Sequence, residues 1–170
     1  MIGKDYFDRK AEIVARDLLG KILVRKLNNK ELKARIVEVE AYYDDKDPAS
    51  RACKNGDLRE TMKMPGGTIL VYGCHNNWLI NFITGKENEA EAVLLRALEP
   101  LNFTGNTKGP GLLTKCLGID KSFHKKEIGR DLWLEDGERV EIKSSKRIGV
   151  REDLARDLRF FIKDNIFVSK

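Results

Sequence analysis

The segment RIVEVEAYYDD, residues 35–45, constrains the fold of this chain more than any other segment. Its small apolar side chains alternate with acidic and aromatic ones, namely Val37, Val39 and Ala41 against Glu38, Glu40 and Tyr42. Because neighbouring side chains of a β-strand point to opposite faces, the apolar set faces a core, and Glu40 and Tyr42 lie about 7 Å apart on the other face. A half-buried strand with a solvated outer face explains the pattern, and so does an acid–base group beside an aromatic stacking surface.

Short apolar segments separated by turn residues predict several further strands. Residues 21–27 and 31–43 form a hairpin across Asn28-Asn29, because a turn signal separates two strand-like runs. The other predicted strands and turns are, in chain order, a strand at 68–73, a bulge-like polar cluster from His75 before an apolar run to 82, a turn at 85–89, a strand at 90–100, and hairpins that turn at Asp136-Gly137 and Asp164-Asn165.

Helical signals are fewer than strand signals. Residues 8–19 have helical apolar spacing and end before Gly20, and 109–118 begin with a proline and end with a glycine. Residues 44–67 are predicted to be a long polar loop. We therefore expect a single α+β domain over residues 1–170, with a curved, mostly antiparallel β-sheet and a few peripheral helices.

Composition limits the class of protein and its surroundings. A net charge of +5 permits a polyanionic partner. The three cysteines form no C-x-x-C pair, which favours a reducing compartment. The N-terminal MIGKDYFDRK lacks an apolar signal core, and no apolar run approaches a membrane span. We expect a cytoplasmic protein, associated with the nucleoid if the source is a prokaryote, with no membrane partner.

The residue types available restrict the chemistry. The chain has only two histidines, His75 and His124, and neither an H-E-x-x-H motif nor a Gly-rich nucleotide-binding loop. We therefore expect no metal and no cofactor. Arg96 lies in the apolar run VLLRAL and needs a partner, which a structural ion pair or a functional site would supply. Asn81, between Ile80 and Phe82, has the same two interpretations, because a buried Asn often binds backbone groups.

Five blocks in their order and spacing resemble the alkyladenine (3-methyladenine) DNA glycosylases of the mammalian alkylpurine type. They are ARDLLGKILVRKL, RIVEVEAY, LLRALEPL, KGPGLLTKCLGIDKSF and RIGVREDLARDLRFFIKDNIFVS, and they extend over nearly the whole chain. The combination of RIVEVEAY with LLRALEP is the most specific part of the resemblance. The family removes damaged purines from double-stranded DNA, and the nucleotide is rotated out of the duplex into a pocket.

The resemblance implies a monomeric, monofunctional enzyme in which water is the nucleophile and an abasic site is the product. Glu40 is then the general base that takes a proton from the water attacking C1′, and its charge favours an oxocarbenium-like transition state. Arg96 positions that water and the adjoining phosphate. Glu38 is expected to point outward and to be structural. No lysine occupies the motif position, so a Schiff-base intermediate is not expected.

The same resemblance assigns the substrate pocket to Tyr42, Tyr72, Asn81, Ala49 and Leu94. The tyrosine rings hold the extruded base, and an alkylated, cationic purine gains from an aromatic face. Asn81 checks the purine edge and disfavours guanine. Ala49 stands where family members have a histidine that contacts the base edge. We therefore expect simple alkylpurines as substrates in preference to etheno-adenine and hypoxanthine.

DNA contacts are assigned partly by alignment within the resemblance. The family has a tyrosine that fills the gap in the duplex. Counting from GT-x-x-VY places His75 there, whereas a gapless count from Pro-Gly places Cys74. We prefer His75, because an imidazole fills a base-pair gap and hydrogen-bonds the unpaired partner. The remaining candidates for DNA contacts are Arg51, Lys54, Asn76, Lys115 and Lys121.

Two other functions fit the sequence. A non-catalytic module that binds lesions or structured RNA would keep Tyr42 and the basic surface and would not need Glu40. A small-molecule nucleoside hydrolase would act on free nucleosides and would show little dependence on salt, whereas binding to duplex DNA weakens steeply with salt.

Overall fold

One curled sheet of eight antiparallel strands forms the centre of the molecule, and the computed structural model describes residues 1–170. The strands are β1 (Ile22–Leu27), β2 (Lys30–Tyr42), β3 (Ile69–Cys74), β4 (Asn77–Thr84), β5 (Glu91–Pro100), β6 (Leu132–Glu135), β7 (Ile142–Ser145) and β8 (Arg159–Ile162). The main path through the sheet is β3-β4-β5-β2-β1-β6, and β8 joins β7 to β2.

Three helices lie around this sheet: α1 (Ala11–Leu18), α2 (Asp57–Met62) and α3 (Pro110–Leu117). α3 begins at a proline and ends at Gly118, which has φ of 57° and closes the helix in a left-handed conformation. Three 3-10 turns add Lys4–Phe7, Arg51–Cys53 and Lys121–Phe123. The predicted α+β fold with a curved antiparallel sheet is confirmed. A helix of the length and apolar character that a bilayer requires is not present.

The thirteen-residue strand β2 organises the sheet because it pairs with three others. β5 lies along one edge, and β1 and then β8 lie along the other. Its register with β5 shifts on both sides of Glu38. Because of this irregularity, Ile36 joins Val39 and Ala41 in the main core, whereas Val37 is buried outside that cluster. Val37 is buried as predicted, but Ile36 takes its place in the main cluster.

Both faces of the second half of β2 are buried. One face packs in the main core, and Glu38 and Glu40 on the other face have no exposed surface. The interpretation of β2 as a half-buried strand with a solvated outer face is therefore wrong. Paired residues of neighbouring strands point to the same face of the sheet. Glu40 pairs with Leu94, Leu94 with Asn81, and Asn81 with Leu70, so these four residues share the second face. Side chains from β2, β5, β4 and β3 consequently meet on the side of the sheet opposite the main core.

The two hairpins predicted near the C-terminus do not form. β6 pairs with β1, and β7 pairs with β8. After β6 the chain passes close to Gly20, where a Cβ on Gly137 would lie 1.8 Å from the Gly20 carbonyl oxygen. Gly137 thus permits a close backbone approach and does not form a hairpin turn. After β8, the chain end turns inward, where the Ser169 backbone N–H and hydroxyl donate to the buried Glu38 carboxylate, at 2.6 and 2.8 Å.

Two further local predictions are corrected. The loop predicted over 44–67 contains α2, whose six residues are too few to show a helical period in the sequence. The predicted bulge at His75 is a two-residue hairpin turn between β3 and β4. Both His75 and Asn76 have positive φ, 48° and 63°, as in the turns whose twist matches a right-handed hairpin.

The turn at the tip of this hairpin gives a prediction about stability. Asn76→Val is expected to lower the free energy of unfolding by about 1–2 kcal/mol, because a β-branched residue is strained at positive φ. Asn76→Gly is the matched control and is expected to unfold at or above the wild-type denaturant midpoint. Urea denaturation measures both variants, and equal midpoints for valine and glycine would contradict this turn geometry.

Candidate active site

A cavity of about 660 Å³ opens on the face of the sheet opposite the main core. Alternate residues of β2, β3, β4 and β5 form its inner wall, because side chains of one parity share one face. The lining is completed by Pro48, Ala49, Arg51, Met62 of α2, His75 in the β3–β4 turn, Pro110 and Gly111 at the start of α3, and residues 148–152. No group of three or more His, Cys, Asp or Glu side chains is arranged to hold a metal ion.

Glu40 lies behind this wall, with no exposed surface and no place in the cavity lining. Its Oε1 accepts a hydrogen bond from the Ile148 N–H at 2.7 Å and lies 3.5 Å from Nη1 of Arg96. Its Oε2 accepts from the Tyr42 hydroxyl at 2.7 Å. Burial raises the pKa of Glu40 above its ordinary value, although Arg96, the Ile148 N–H and the Tyr42 hydroxyl each act to lower it.

Arg96 lines the cavity and joins the two buried glutamates. Its Nε donates to Glu38 at 3.0 Å, while Nη1 approaches Glu40. Glu38 also accepts from Nε of Arg159 at 2.7 Å and from Ser169. The prediction that Glu38 points outward is wrong, because three strands and the chain end enclose its carboxylate. The structural ion pair predicted for Arg96 is present, and it fixes the guanidinium beside Glu40; the functional interpretation stays a prediction.

Tyr42 and Tyr72 form two aromatic walls of the cavity. The guanidinium carbon of Arg147 lies 4.5 Å from the centroid of the Tyr42 ring, and that of Arg51 lies 4.5 Å from the centroid of Tyr72. Burial, followed by the charge and hydrogen bond of Glu40, raises the pKa of Tyr42 well above its ordinary value. The Tyr42 hydroxyl is therefore protonated and donates to Glu40.

Arg147 is a site-forming residue that sequence reasoning did not identify. Its side chain is fully buried and makes two hydrogen bonds of 2.7 Å to Asp47, two to Asp153 and one to the Ala41 carbonyl. These bonds join the segment after β2 to residues 146–153, so that the Ile148 N–H meets Glu40. The block RIGVRED contains Arg147 and Asp153, but its sequence does not tell which arginine is buried.

The other predicted pocket residues are brought to the same cavity. Asn81 and Leu94 are each 3% exposed and lie on its inner wall, and Asn81 is also 3.4 Å from the Leu70 carbonyl oxygen. Ala49 lines it beside Arg51. Asn81 can therefore hydrogen-bond the backbone of Leu70, and its position on the cavity wall also permits contact with a ligand.

The predicted DNA contacts divide into two groups. Arg51, His75 and Cys74 line the cavity, and His75 lies in the turn at the end of the β3–β4 hairpin. Asn76, Lys54, Lys115 and Lys121 are exposed and do not line the cavity. Arg151, exposed and part of the lining, was not predicted, because nothing in the sequence distinguishes it from other surface arginines.

The cavity has two aromatic walls and a guanidinium, and a carboxylate is buried behind it. The carboxylate can serve as a general base, and flat rings can hold an extruded nucleobase between them. A base-excising glycosylase needs such a combination of groups. The family model described as methylpurine-DNA glycosylase (MPG) matches residues 5–166, and the chain belongs to this family.

Relatives from several organisms agree with this assignment, and each is named "Putative 3-methyladenine DNA glycosylase". The chain is 39% identical to the Aeropyrum pernix protein over all of this chain and 93% of that relative. It is 38% identical to the protein of Borrelia garinii subsp. bavariensis, over 97% of each chain. It is 35% identical to the protein of Natranaerobius thermophilus, over 97% of this chain and 96% of that relative.

The buried pair of Arg147 and Asp47 gives a second prediction. Asp47→Asn is expected to lower the free energy of unfolding by about 3–5 kcal/mol, because it leaves a buried guanidinium short of charge. The surface variant Lys163→Gln, which breaks an exposed pair with Glu141, is the control and is expected to cost less than about 1 kcal/mol. Thermal and urea unfolding measure both; equal losses would show that Arg147 does not hold the loop.

The same pair has a defined dependence on pH. Burial alone would raise the pKa of Asp47, but the hydrogen bonds from Arg147, helped by the Tyr43 and Ala49 N–H groups, lower it below its ordinary 3.8. A carboxyl whose folded pKa is lowered stabilises the fold above the unfolded-state value, and this stability is lost as pH falls through the folded value. The difference between wild type and Asp47→Asn should therefore shrink in acid.

Proposed function

We propose that the protein is a monofunctional DNA glycosylase. It flips an alkylated purine out of duplex DNA and hydrolyses the N-glycosidic bond with an activated water, leaving an abasic site. The observation that carries the proposal is the buried Glu40 carboxylate beside Arg96, behind a cavity with two tyrosine walls. The names of the relatives, which specify 3-methyladenine, support the class of substrate.

Glu40 is the base in this proposal. Its raised pKa makes it a stronger proton acceptor than an exposed glutamate, provided that it remains ionised at the working pH. Its negative charge also stabilises the positive charge that develops at the sugar as the bond to the purine breaks. Arg96 lines the cavity at the same point, so it can orient the water and the adjoining phosphate.

In this proposal, two features select the substrate: the side chains that line the cavity, and the ease with which an alkylated purine leaves the sugar. Tyr42 and Tyr72 each have a guanidinium over one ring face, and that charge reduces the attraction of the other face for a second cation. We therefore give more weight to the weak glycosidic bond of a cationic alkylpurine than to cation–π binding. Asn81 reads the purine edge, Leu94 contacts the base, and Ala49 leaves that side of the pocket without a hydrogen-bonding side chain.

The proposed DNA path runs over the mouth of the cavity. His75, at the end of the β3–β4 hairpin, fills the gap left by the flipped nucleotide, with Cys74 as the alternative. Arg51 and Arg151 at the cavity are the first candidates for phosphate contacts. Further contacts are proposed for Lys54, Asn76, Lys115 and Lys121. A monomer acting on double-stranded DNA in the cytoplasm, or in the nucleoid of a prokaryote, completes the proposal.

The two rival functions predict different observations. A binding module without catalysis does not need a buried carboxylate with a raised pKa next to an open cavity, so the environment of Glu40 favours an enzyme. A nucleoside hydrolase would release bases from free nucleosides. A DNA glycosylase requires the duplex and loses affinity steeply as salt rises.

The central prediction concerns Glu40. Glu40→Gln is expected to lower the single-turnover rate of base release from methylated duplex DNA by about 10²–10⁴-fold, since it removes the general base. Binding to a duplex that carries a tetrahydrofuran abasic analogue should stay near wild type. Glu141→Gln, on the surface, is the matched control and should release base at the wild-type rate.

The result that would overturn the proposal is wild-type base release by Glu40→Gln. A covalent DNA adduct trapped with borohydride would instead contradict the monofunctional mechanism, because it would require an amine nucleophile. Parallel assays on duplexes with 3-methyladenine, 7-methylguanine, etheno-adenine and hypoxanthine rank the lesions, and strong release of hypoxanthine would show that Ala49 does not narrow the specificity.

A further inference from the structure

Two buried carboxylates share the guanidinium of Arg96, and they hold it unequally. Its Nε donates to Oε1 of Glu38 at 3.0 Å, whereas its Nη1 lies 3.5 Å from Oε1 of Glu40. Charged hydrogen bonds of this kind usually measure about 2.7–2.9 Å, so the contact with Glu40 is loose. Only Nε of Arg96 donates a hydrogen bond within the protein, and the side chain lines the cavity. The position of Arg96 beside Glu40 is therefore set by Glu38.

We propose that Glu38 and Ser169 are positioning residues for base release, an inference that rests on the proposed glycosylase function. Ser169 satisfies Glu38, and Glu38 holds Arg96 where Glu40 is only loosely paired. The water then meets a carboxylate that no close ion pair neutralises, with the Nη groups of Arg96 beside it. Neither positioning residue lines the cavity, so both act through Arg96. Besides Arg96, the ionisable groups that face Glu40 are Glu38 and the Tyr42 hydroxyl.

The carboxylate of Glu38 has a full set of donors. Nε of Arg159 and the hydroxyl of Ser169 join Arg96 at Oε1, at 2.7 and 2.8 Å, and the Ser169 N–H donates to Oε2 at 2.6 Å. A carboxylate accepts about four hydrogen bonds, and four are present. Arg159 also donates to the Ser145 hydroxyl at 3.0 Å, so it is not free to replace a missing donor. Because all four donors share one negative charge, the loss of one strengthens the hold of Glu38 on Arg96.

The segment after β8 is built to bring Ser169 to this carboxylate. The Asn165 side chain donates to Glu99 at 3.1 Å and accepts from the Phe167 N–H at 2.8 Å, which fixes the turn. Nη2 of Arg159 lies 3.4 Å from the Ser169 carbonyl oxygen, and Ser169 itself is buried. The variant Ser169→Ala removes the hydroxyl and leaves the turn and the backbone hydrogen bond in place. It therefore perturbs Glu38 without removing a charge.

The test is the pH dependence of single-turnover base release from a duplex with 7-methylguanine. In Ser169→Ala, Arg96 should move toward Glu38 and away from Glu40, which raises the midpoint of the acid limb by about 0.5 pH unit. The plateau rate should fall by about 10-fold, because small displacements of a group at the reacting centre are costly. Glu38→Gln removes the competing carboxylate, so Arg96 closes on Glu40 and the midpoint falls by about 1 pH unit. Ser144→Ala, the same substitution at an exposed position of β7, should match wild type.

Shifts of opposite sign in Ser169→Ala and Glu38→Gln support the inference, because a purely structural role would lower the melting temperature and leave both midpoints unchanged. If Glu38→Gln does not fold, Ser169→Ala decides alone. A wild-type midpoint in Ser169→Ala, or shifts of the same sign in both variants, would overturn the positioning role and leave the glycosylase proposal intact. Full activity of Glu40→Gln would instead remove the proposed function itself.

Discussion

The surrounding structure depends on the burial of two carboxylates on β2, those of Glu38 and Glu40. Each carboxylate needs positive charge or hydrogen-bond donors, because an unpaired buried charge is strongly unfavourable. Glu38 receives Arg96, Arg159 and Ser169, which bring together β5, β8 and the chain end. Glu40 receives the same Arg96 together with the Ile148 N–H and the Tyr42 hydroxyl. The strands, the chain end and the segment around Ile148 therefore meet at the two glutamates, because each supplies hydrogen-bond donors to them.

The two glutamates differ in a way that suits two roles. The donors around Glu38 come from two arginines and Ser169, which is the environment of a structural anchor. Glu40 has weaker support, and burial raises its pKa. A carboxyl with a raised folded pKa favours the fold most below its unfolded value, and this contribution is lost as pH rises through the folded value. An ionised Glu40 thus lowers stability at neutral pH, and the same burial makes it a better base.

The sequence was sufficient for the parts that depend on local pattern. Strand alternation predicted that Glu40 and Tyr42 lie on one face of β2, but it missed the irregularity at Glu38 that puts Ile36 in place of Val37 in the main core. The resemblance of five blocks predicted several of the residues that line the cavity. The register that aligns Glu40, Leu94 and Asn81 depends on pairing between distant strands, which alternation alone does not fix. Arg147 is one of 32 lysines and arginines, and only the fold distinguishes a buried one. The hairpin predicted at Asp164-Asn165 rested on a local turn signal. In the fold, the chain end instead brings Ser169 to the buried Glu38 carboxylate, and this long-range contact cannot be recognised from the local sequence.

The pH dependence of single-turnover base release by the wild-type protein tests the central claim most directly. Glu40 must be ionised to accept a proton, so the rate should fall as pH falls. Because burial raises the pKa of Glu40, the midpoint of this acid limb should lie above 4.5, the ordinary value for a glutamate. A rate that is independent of pH down to that value, or an acid limb below it, would contradict a buried glutamate as the base.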